Sequence, residues 1–278
     1  MNDFKLGTDT YLKSIAIRVK DRDKMIDFYK NIIGFDLKRE ENELAIFGTE
    51  EPSSEMLLLE ESPRANDHTG EIKKLNRFSL IISTEGEMAD ILFRIRKAQY
   101  PIKDALEEQG RIGILLTDPE GNELEVYYGE KQENPGEPKA LDQETLLEKS
   151  TQQFKKLTKD ASFEKIHLHV DDLEKEHAFL SDILGLEIQD EKNGLHVLNE
   201  GDFHVGLKEA HGGTIGLPTD EVLGLDFLKF VISQENMDDL IKHLESAKKD
   251  FFVDKKKTVL TVYDEIGIEW WFVSNPKK

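Results

Sequence analysis

The chain contains no cysteine in 278 residues, which removes disulfides, thiolate nucleophiles and every cysteine-based metal site. It has no long uninterrupted apolar run of the kind that spans a bilayer, and its first residues, Met1-Asn2-Asp3-Phe4-Lys5, have neither an apolar stretch nor a small-residue cleavage site. No secretory leader is read there, and the expected location is the cytoplasm. Positive charge is in short supply: 37 Lys and Arg stand against 57 Asp and Glu, a formal net charge of −20. Such a surface repels phosphate backbones and anionic lipid, so neither nucleic acid nor membrane is an expected partner. Familiar hydrolytic signatures are also missing. There is no His-Glu-x-x-His helix and no Gly-x-Ser-x-Gly elbow, so peptide hydrolysis would need groups assembled only in three dimensions. What the chain does have is 38% hydrophobic residues over a length suited to two domains.

Those hydrophobic residues carry an internal repeat. Aligning Ile15 with Ile166 also superimposes Val19 on Val170, Asp21 on Asp172, Lys24 on Lys175, Phe28 on Phe179 and Gly34 on Gly185. Ile15, Ile17 and Val19 alternate with Ser14, Ala16 and Arg18 as in a strand. Asp21 then suits a helix N-cap. Met25, Phe28, Tyr29, Ile32 and Ile33 form one apolar helical stripe, and Gly34 ends it. A second strand-helix unit follows in each half. Phe78, Leu80 and Ile82 precede Met88, Ile91, Leu92 and Ile95, while Leu228, Phe230 and Ile232 precede Met237, Leu240, Ile241 and Leu244. Short β-rich runs at Leu44-Phe47, Met56-Leu59, Gly113-Leu116 and Val259-Val262 complete modules of one strand, one helix and three strands.

The expected boundary is the breaker-rich stretch Glu133-Asn134-Pro135-Gly136-Glu137-Pro138, followed by a connecting helix from Leu141 to Leu157 capped by Asp142. This gives domains over 8–132 and 161–276 with a linker over 133–160. Asn193-Gly194 and Gly212-Gly213 read as turns, and the polar segment Pro63 to Lys74 as a surface loop.

Three features together resemble the glyoxalase, bleomycin-resistance and extradiol-dioxygenase group, the vicinal oxygen chelate superfamily. They are Val19-Lys20-Asp21, the run from Phe28-Tyr29 to Ile33-Gly34-Phe35, and above all Asp118-Pro119-Glu120-Gly121-Asn122-Glu123-Leu124-Glu125-Val126-Tyr127. The resemblance implies an α+β fold of two tandem glyoxalase-like domains, each of paired βαβββ modules forming a cupped mixed sheet with helices outside. It also implies a divalent metal held by two histidines and a glutamate. Here the first histidine falls on Ser14 and Lys165 and the second on Arg77 and Phe227, while the glutamate falls on Glu125 and on Glu269 in Gly267-Ile268-Glu269-Trp270-Trp271. Guanidinium and ammonium have no lone pair for a metal and repel it. The expected cofactor is therefore none, with ion pairs such as Arg77 to Glu125 standing in for the ion.

A narrower resemblance is to the CppA family, carried by Leu58-Leu59-Glu60-Glu61-Ser62-Pro63-Arg64, Lys73-Lys74-Leu75-Asn76-Arg77, Leu228-Lys229-Phe230-Val231 and Glu269-Trp270-Trp271-Phe272. That family is labelled a complement-degrading proteinase, a hydrolase, and the resemblance implies that label. The residues themselves read as a metal-free module that binds a small molecule or a protein, compatible with a homodimer. The alternative is a metal-dependent glyoxalase or extradiol dioxygenase in which His167 and His169, alternating on one strand face with Lys165, join Glu269 around zinc, iron or manganese in the second cup. The bland reading of both histidines is hydrogen bonding to neighbours. His68, His177, His196, His204, His211 and His243 have no ligand spacing. Tyr127 and Trp271 alternate to the side of Glu125 and Glu269, where an aromatic ring beside a carboxylate either grips an organic ligand or fills core. The candidate pocket residues are thus Ser14, Arg77, Glu125, Tyr127, Lys165, His167, His169, Glu269 and Trp271.

Overall fold

A computed structural model describes residues 4–65, 70–131, 136–190, 194–198 and 202–274. His68, Asn193 and the Glu133 to Pro135 part of the expected linker lie outside them. The protein is mixed α+β, with two sheets of eight and nine strands.

Four strand-helix-strand-strand-strand modules follow one another. The first is β1 (Tyr11–Val19), α1 (Arg22–Asp27), β2 (Asp36–Glu41), β3 (Leu44–Gly48) and β4 (Leu57–Glu61). The second is β5 (Leu75–Ile82), α2 (Glu85–Lys97), β6 (Asp104–Glu108), β7 (Arg111–Thr117) and β8 (Glu123–Tyr128); β9 (Lys139–Ala140) and α3 (Gln143–Leu147) come after it. The third is β10 (Ser162–Val170), α4 (Leu173–Ala178), β11 (Glu187–Asp190), β12 (Leu195–Leu198) and β13 (Phe203–Glu209). The fourth is β14 (Gly224–Ile232), α5 (Gln234–Ala247), β15 (Phe251–Val253), β16 (Val259–Tyr263) and β17 (Glu269–Ser274).

Every module helix starts on a side chain that accepts from its third following N–H: Asp21 from Lys24, Thr84 from Glu87, Asp172 from Lys175 and Ser233 from Asn236. The helix after β1 loosens into a π-helical turn over Phe28–Ile33 and stops at Gly34, whose φ of 102° only glycine adopts without strain.

The chain divides into two compact units, the first of which combines two N-terminal segments with the C-terminal half. One comprises Met1–Arg18, Arg64–Asn76 and Lys165–Lys278, the other Val19–Pro63 and Arg77–Glu164. The first unit has strand orders β15-β16-β17-β14-β1 and β11-β12-β13-β10. Its core is one sheet face, with Leu228, Phe230, Trp270 and Phe272 all buried and the rings of Phe230 and Trp270 stacked at 5.5 Å. The Met237, Leu240 and Leu244 stripe of α5 is buried as well. The second unit has orders β4-β3-β2 and β5-β8-β7-β6-β9, with Phe78, Leu80, Leu124 and Val126 fully buried together with the Met88, Ile91, Leu92 and Ile95 stripe of α2. Each such side chain contributes about 1.5–3 kcal/mol on burial. That apolar burial holds the opposite, polar strand faces in place.

The connecting helix expected over Leu141 to Leu157 is corrected to a single short helix, Gln143–Leu147, capped as expected by Asp142. The reason is competition for the backbone. Asp90 on α2 accepts from Ser150 Oγ at 2.6 Å, Gln152 N at 2.8 Å and Phe154 N at 2.9 Å, and Arg94 takes the Phe154 carbonyl at 2.6 Å. Gln152 turns to φ 56° to meet them. These charge-assisted bonds replace the helical ladder.

Candidate functional site

In the second unit the site grows from the parallel pairing of β5 and β8, which sets Arg77 beside Glu123, Ser79 beside Glu125 and Ile81 beside Tyr127. The Asp118 turn fixes where β8 begins. Its carboxylate accepts from Glu120 N, Asn122 N, Asn122 Nδ2 and the buried Tyr29 hydroxyl, all at 2.8–3.0 Å. The alternate residues of both strands are core, so Arg77, Ser79, Glu123, Glu125 and Tyr127 share the other face.

Arg77 joins both carboxylates, with Nη1 at 2.6 Å from Glu125 Oε1 and Nη2 at 2.8 Å from Glu123 Oε2. The second Glu125 oxygen accepts from Ser79 Oγ at 3.0 Å, and Lys103 pairs with Glu123. Burial works against the Arg77 charge, but the two carboxylates outweigh it and raise its pKa. Burial likewise pushes Glu123 up, while Lys103 and Arg77 bring it below the ordinary carboxylate range. Tyr127 packs against Gly113, where a Cβ would sit 2.7 Å from its ring. Above that ring, 4.3 Å from its centroid, is the guanidinium of Arg111, which holds Glu164 through both oxygens at 2.7 and 2.6 Å. Burial first, then the nearby Glu125, drives the Tyr127 phenol far up.

In the first unit β14 and β17 pair in parallel, with Phe227 beside Glu269 and Lys229 beside Trp271. On the far side of β17, Tyr263 stands opposite Glu269. Phe227 and Trp271 stack with centroids 4.6 Å apart, and the Lys229 ammonium lies 5.5 and 5.6 Å from the two rings. Glu269 accepts from the Tyr263 hydroxyl at 2.8 Å and from the Trp271 indole at 2.5 Å. Ser14, on β1, is buried opposite Lys229 in the antiparallel β1–β14 pair.

The registers of the two units change one equivalence. Asp118 and Gly121 correspond to Asp264 and Gly267, and Arg77 faces Glu123 as Phe227 faces Glu269. Glu269 is therefore the counterpart of Glu123, and Trp271 stands where Glu125 does. The resemblance implies Glu269 as the second ligand glutamate; the register places it two residues from that position on the same strand face, where alternation alone does not separate the two.

The remaining expected residues lie elsewhere in the first unit. Lys165 pairs with His204 and His167 with Gly206 in the parallel β10–β13 ladder, and a Cβ on Gly206 would come 2.8 Å from the His167 ring. Both nitrogens of His169 are engaged, Nδ1 with the Lys73 carbonyl at 2.8 Å and Nε2 with the Asn76 amide at 3.1 Å. These partners assign the proton to Nδ1. Among the described residues no three His, Asp or Glu side chains gather as a metal site, so His167, His169 and Glu269 do not come together. The structure does pair two histidines the sequence left apart: His177 Nδ1 lies 3.3 Å from His196 Nε2. Burial and then His177 lower the His196 pKa to about 4. Their helix and strand positions gave no common spacing from which to find them.

The donor set at the superfamily's metal positions does not fit a divalent ion. Phe227 and Trp271 offer no ligand atom, Arg77 is a cation, and the oxygens of Glu125 are held by Arg77 and Ser79.

Residues 11–126 match the family described as Glyoxalase/Bleomycin resistance protein/Dioxygenase superfamily, and residues 159–272 match CppA C-terminal. A catechol-2,3-dioxygenase of Bacillus subtilis (strain 168) is 27% identical over 255 residues, 84% of this chain and 86% of that protein. Among solved structures, the cppA protein of Streptococcus pneumoniae TIGR4 superimposes with a TM-score of 0.65 at 18% identity, covering 95% of this chain and 99% of that one. Glyoxalase I of Zea mays gives 0.58 at 12% identity, covering 96% and 92%. At such identities the two structures speak for the fold.

Proposed function

Since the chain belongs to the glyoxalase/bleomycin resistance protein/dioxygenase superfamily through residues 11–126 and carries a CppA C-terminal domain over 159–272, we propose that it works without a divalent metal, as a binding protein for a small molecule or a protein segment. The observation that carries this reading is the Arg77–Glu125 pair at 2.6 Å, completed by Ser79 on the second oxygen. An ion entering there would have to displace a guanidinium from a mostly buried carboxylate, and both desolvation and repulsion oppose that. The binding surface of the first unit is the Phe227–Trp271 stack, which suits a planar group.

Metal analysis tests the reading. Protein equilibrated with manganese, iron(II) or zinc and then desalted is expected to retain no stoichiometric ion. Retention of one ion per chain that Glu125→Gln abolishes overturns it.

The similarity to a catechol-2,3-dioxygenase favours one second reading, a ring-cleaving oxygenase. Oxygen uptake with catechol and iron(II), lost on Glu125→Gln, is its test. For the proteinase label of the CppA family the described residues supply no argument. Among them no helix is long and apolar enough to cross a membrane, and a cytoplasmic location is part of the proposal, checked by fractionation.

A further inference from the structure

The helix after β10 repeats the helix after β1, and its apolar stripe contains one substitution of kind. Lys24 aligns with Lys175 and Phe28 with Phe179, so Glu176 occupies the position of Met25. Both side chains are fully buried. Met25 fills core; Glu176 brings a carboxyl whose two oxygens meet no hydrogen-bond donor in normal geometry, although the backbone N–H of Glu265 faces it. A buried carboxyl left in that condition is costly to ionise.

Its neighbour is a second buried acid. Asp264 accepts from Ile266 N at 3.1 Å, Ile268 N at 2.7 Å and the Trp270 indole at 3.0 Å. These bonds stabilise the charged form of Asp264 and shape the turn that leads into β17, the strand carrying Glu269 and Trp271. The other charges facing the pair are Glu265, itself bonded to Lys249 at 2.8 Å, and Lys74, which donates to the Leu217 carbonyl and Thr219 hydroxyl. On β13, packed against α4, the buried titratable side chain is His204.

From this geometry we infer that Glu176 and Asp264 hold a single proton, kept on Glu176, as a lock on the turn entering β17, and that losing this proton loosens the turn. Two ionised carboxyls cannot share an apolar pocket that offers three donors to one and none to the other. Burial, followed by Asp264 and Glu265, raises the Glu176 pKa well above the carboxylate range, and burial raises Asp264 too, held back by Trp270 and the Ile268 N–H. A carboxyl raised in the fold contributes most below its unfolded pKa, and its contribution is lost as pH climbs toward the folded value. The proton goes to water, α4 and the Asp264 turn repel, and the β17 strand that carries the aromatic face loses its anchor.

Urea unfolding of the full chain between about pH 6 and about pH 9, compared with Glu176→Gln and Glu176→Met, tests this. The parent's folding equilibrium constant is expected to fall at least about tenfold more over that range than either variant's, because only the parent gains a buried charge. Below the melting transition, the parent's tryptophan emission shifts at alkaline pH through Trp270, and both variants lack that shift. Equal pH dependence in all three proteins overturns the inference. So does a Glu176→Gln protein less stable than the parent at the alkaline end, or failure of both neutral replacements to fold, since a neutral side chain is what the lock requires.

Discussion

The two strands that close the two units, β8 and β17, start from the same turn and end in different chemistry. After Asp118 come Glu123 and Glu125, tied into ion pairs by Arg77 and Lys103, and Tyr127, whose ring lies under the Arg111 guanidinium. After Asp264 come Glu269 and Trp271, tied to rings and hydroxyls, with Lys229 over the stack. The backbone device is shared while the inner face is free to vary, because the face across each strand is already committed to core. The positions at which the resembled superfamily carries its metal ligands thus hold a salt-bridge lattice in one unit and aromatic packing in the other.

The largest expected break in the comparison is at the turns. Asp118→Ala leaves four donors without an acceptor, one of them the buried Tyr29 hydroxyl, and should destabilise by about 3–4 kcal/mol in urea titration. Asp264→Asn should cost far less and become neutral at alkaline pH, because removing that charge relieves Glu176. Equal losses at both turns would show that the two are energetically alike.

A smaller effect belongs to the lattice. Arg77→Met leaves Glu125 without its cation and Glu123 with Lys103 alone; both are mostly but not wholly buried, so the expected loss is about 2 kcal/mol, below the value for a fully desolvated pair. The sign with pH follows from Glu123, whose folded pKa is depressed by Lys103 and Arg77 against the opposing effect of burial. Its contribution is present above the unfolded carboxylate pKa and disappears as pH falls through the depressed folded value. Parent and Arg77→Met stabilities should therefore differ at neutral pH and converge in acid. A gap that persists in acid would mean that Arg77 acts through packing.

Much of this was legible in advance, for identifiable reasons. Period-two and period-three-to-four patterns placed β1, β5, β10, β14 and all four module helices, since each buries one continuous face. The Arg77–Glu125 contact was implied by the family resemblance, which sets both residues at metal-ligand positions on two different strands. The short α3 was not legible, because the groups that unwind its continuation, Asp90 and Arg94, lie on another helix. Nor was the identity of Trp271 as the counterpart of Glu125, which needs the strand register. The His177–His196 pair and the burial of Glu176 depend on which strand packs beneath α4, and no local spacing records that.

The finest difference between the units is that Glu269 accepts from two neutral donors, the Tyr263 hydroxyl and the Trp271 indole, and Tyr263→Phe isolates one of them. Tyr263 is half exposed, so water replaces its hydroxyl and the stability change should stay within about 0.5 kcal/mol. Water then competes with the Trp271 indole for the carboxylate, and the stack with Phe227 loses a lateral restraint. Trp271 emission should shift while Trp270, buried on the opposite face, reports no change when Trp271→Phe is the background. Unaltered emission in Tyr263→Phe would mean that the ring pair is fixed by β14 and β17 alone, and that the first unit's face, like the lattice of the second, is set by its central strands.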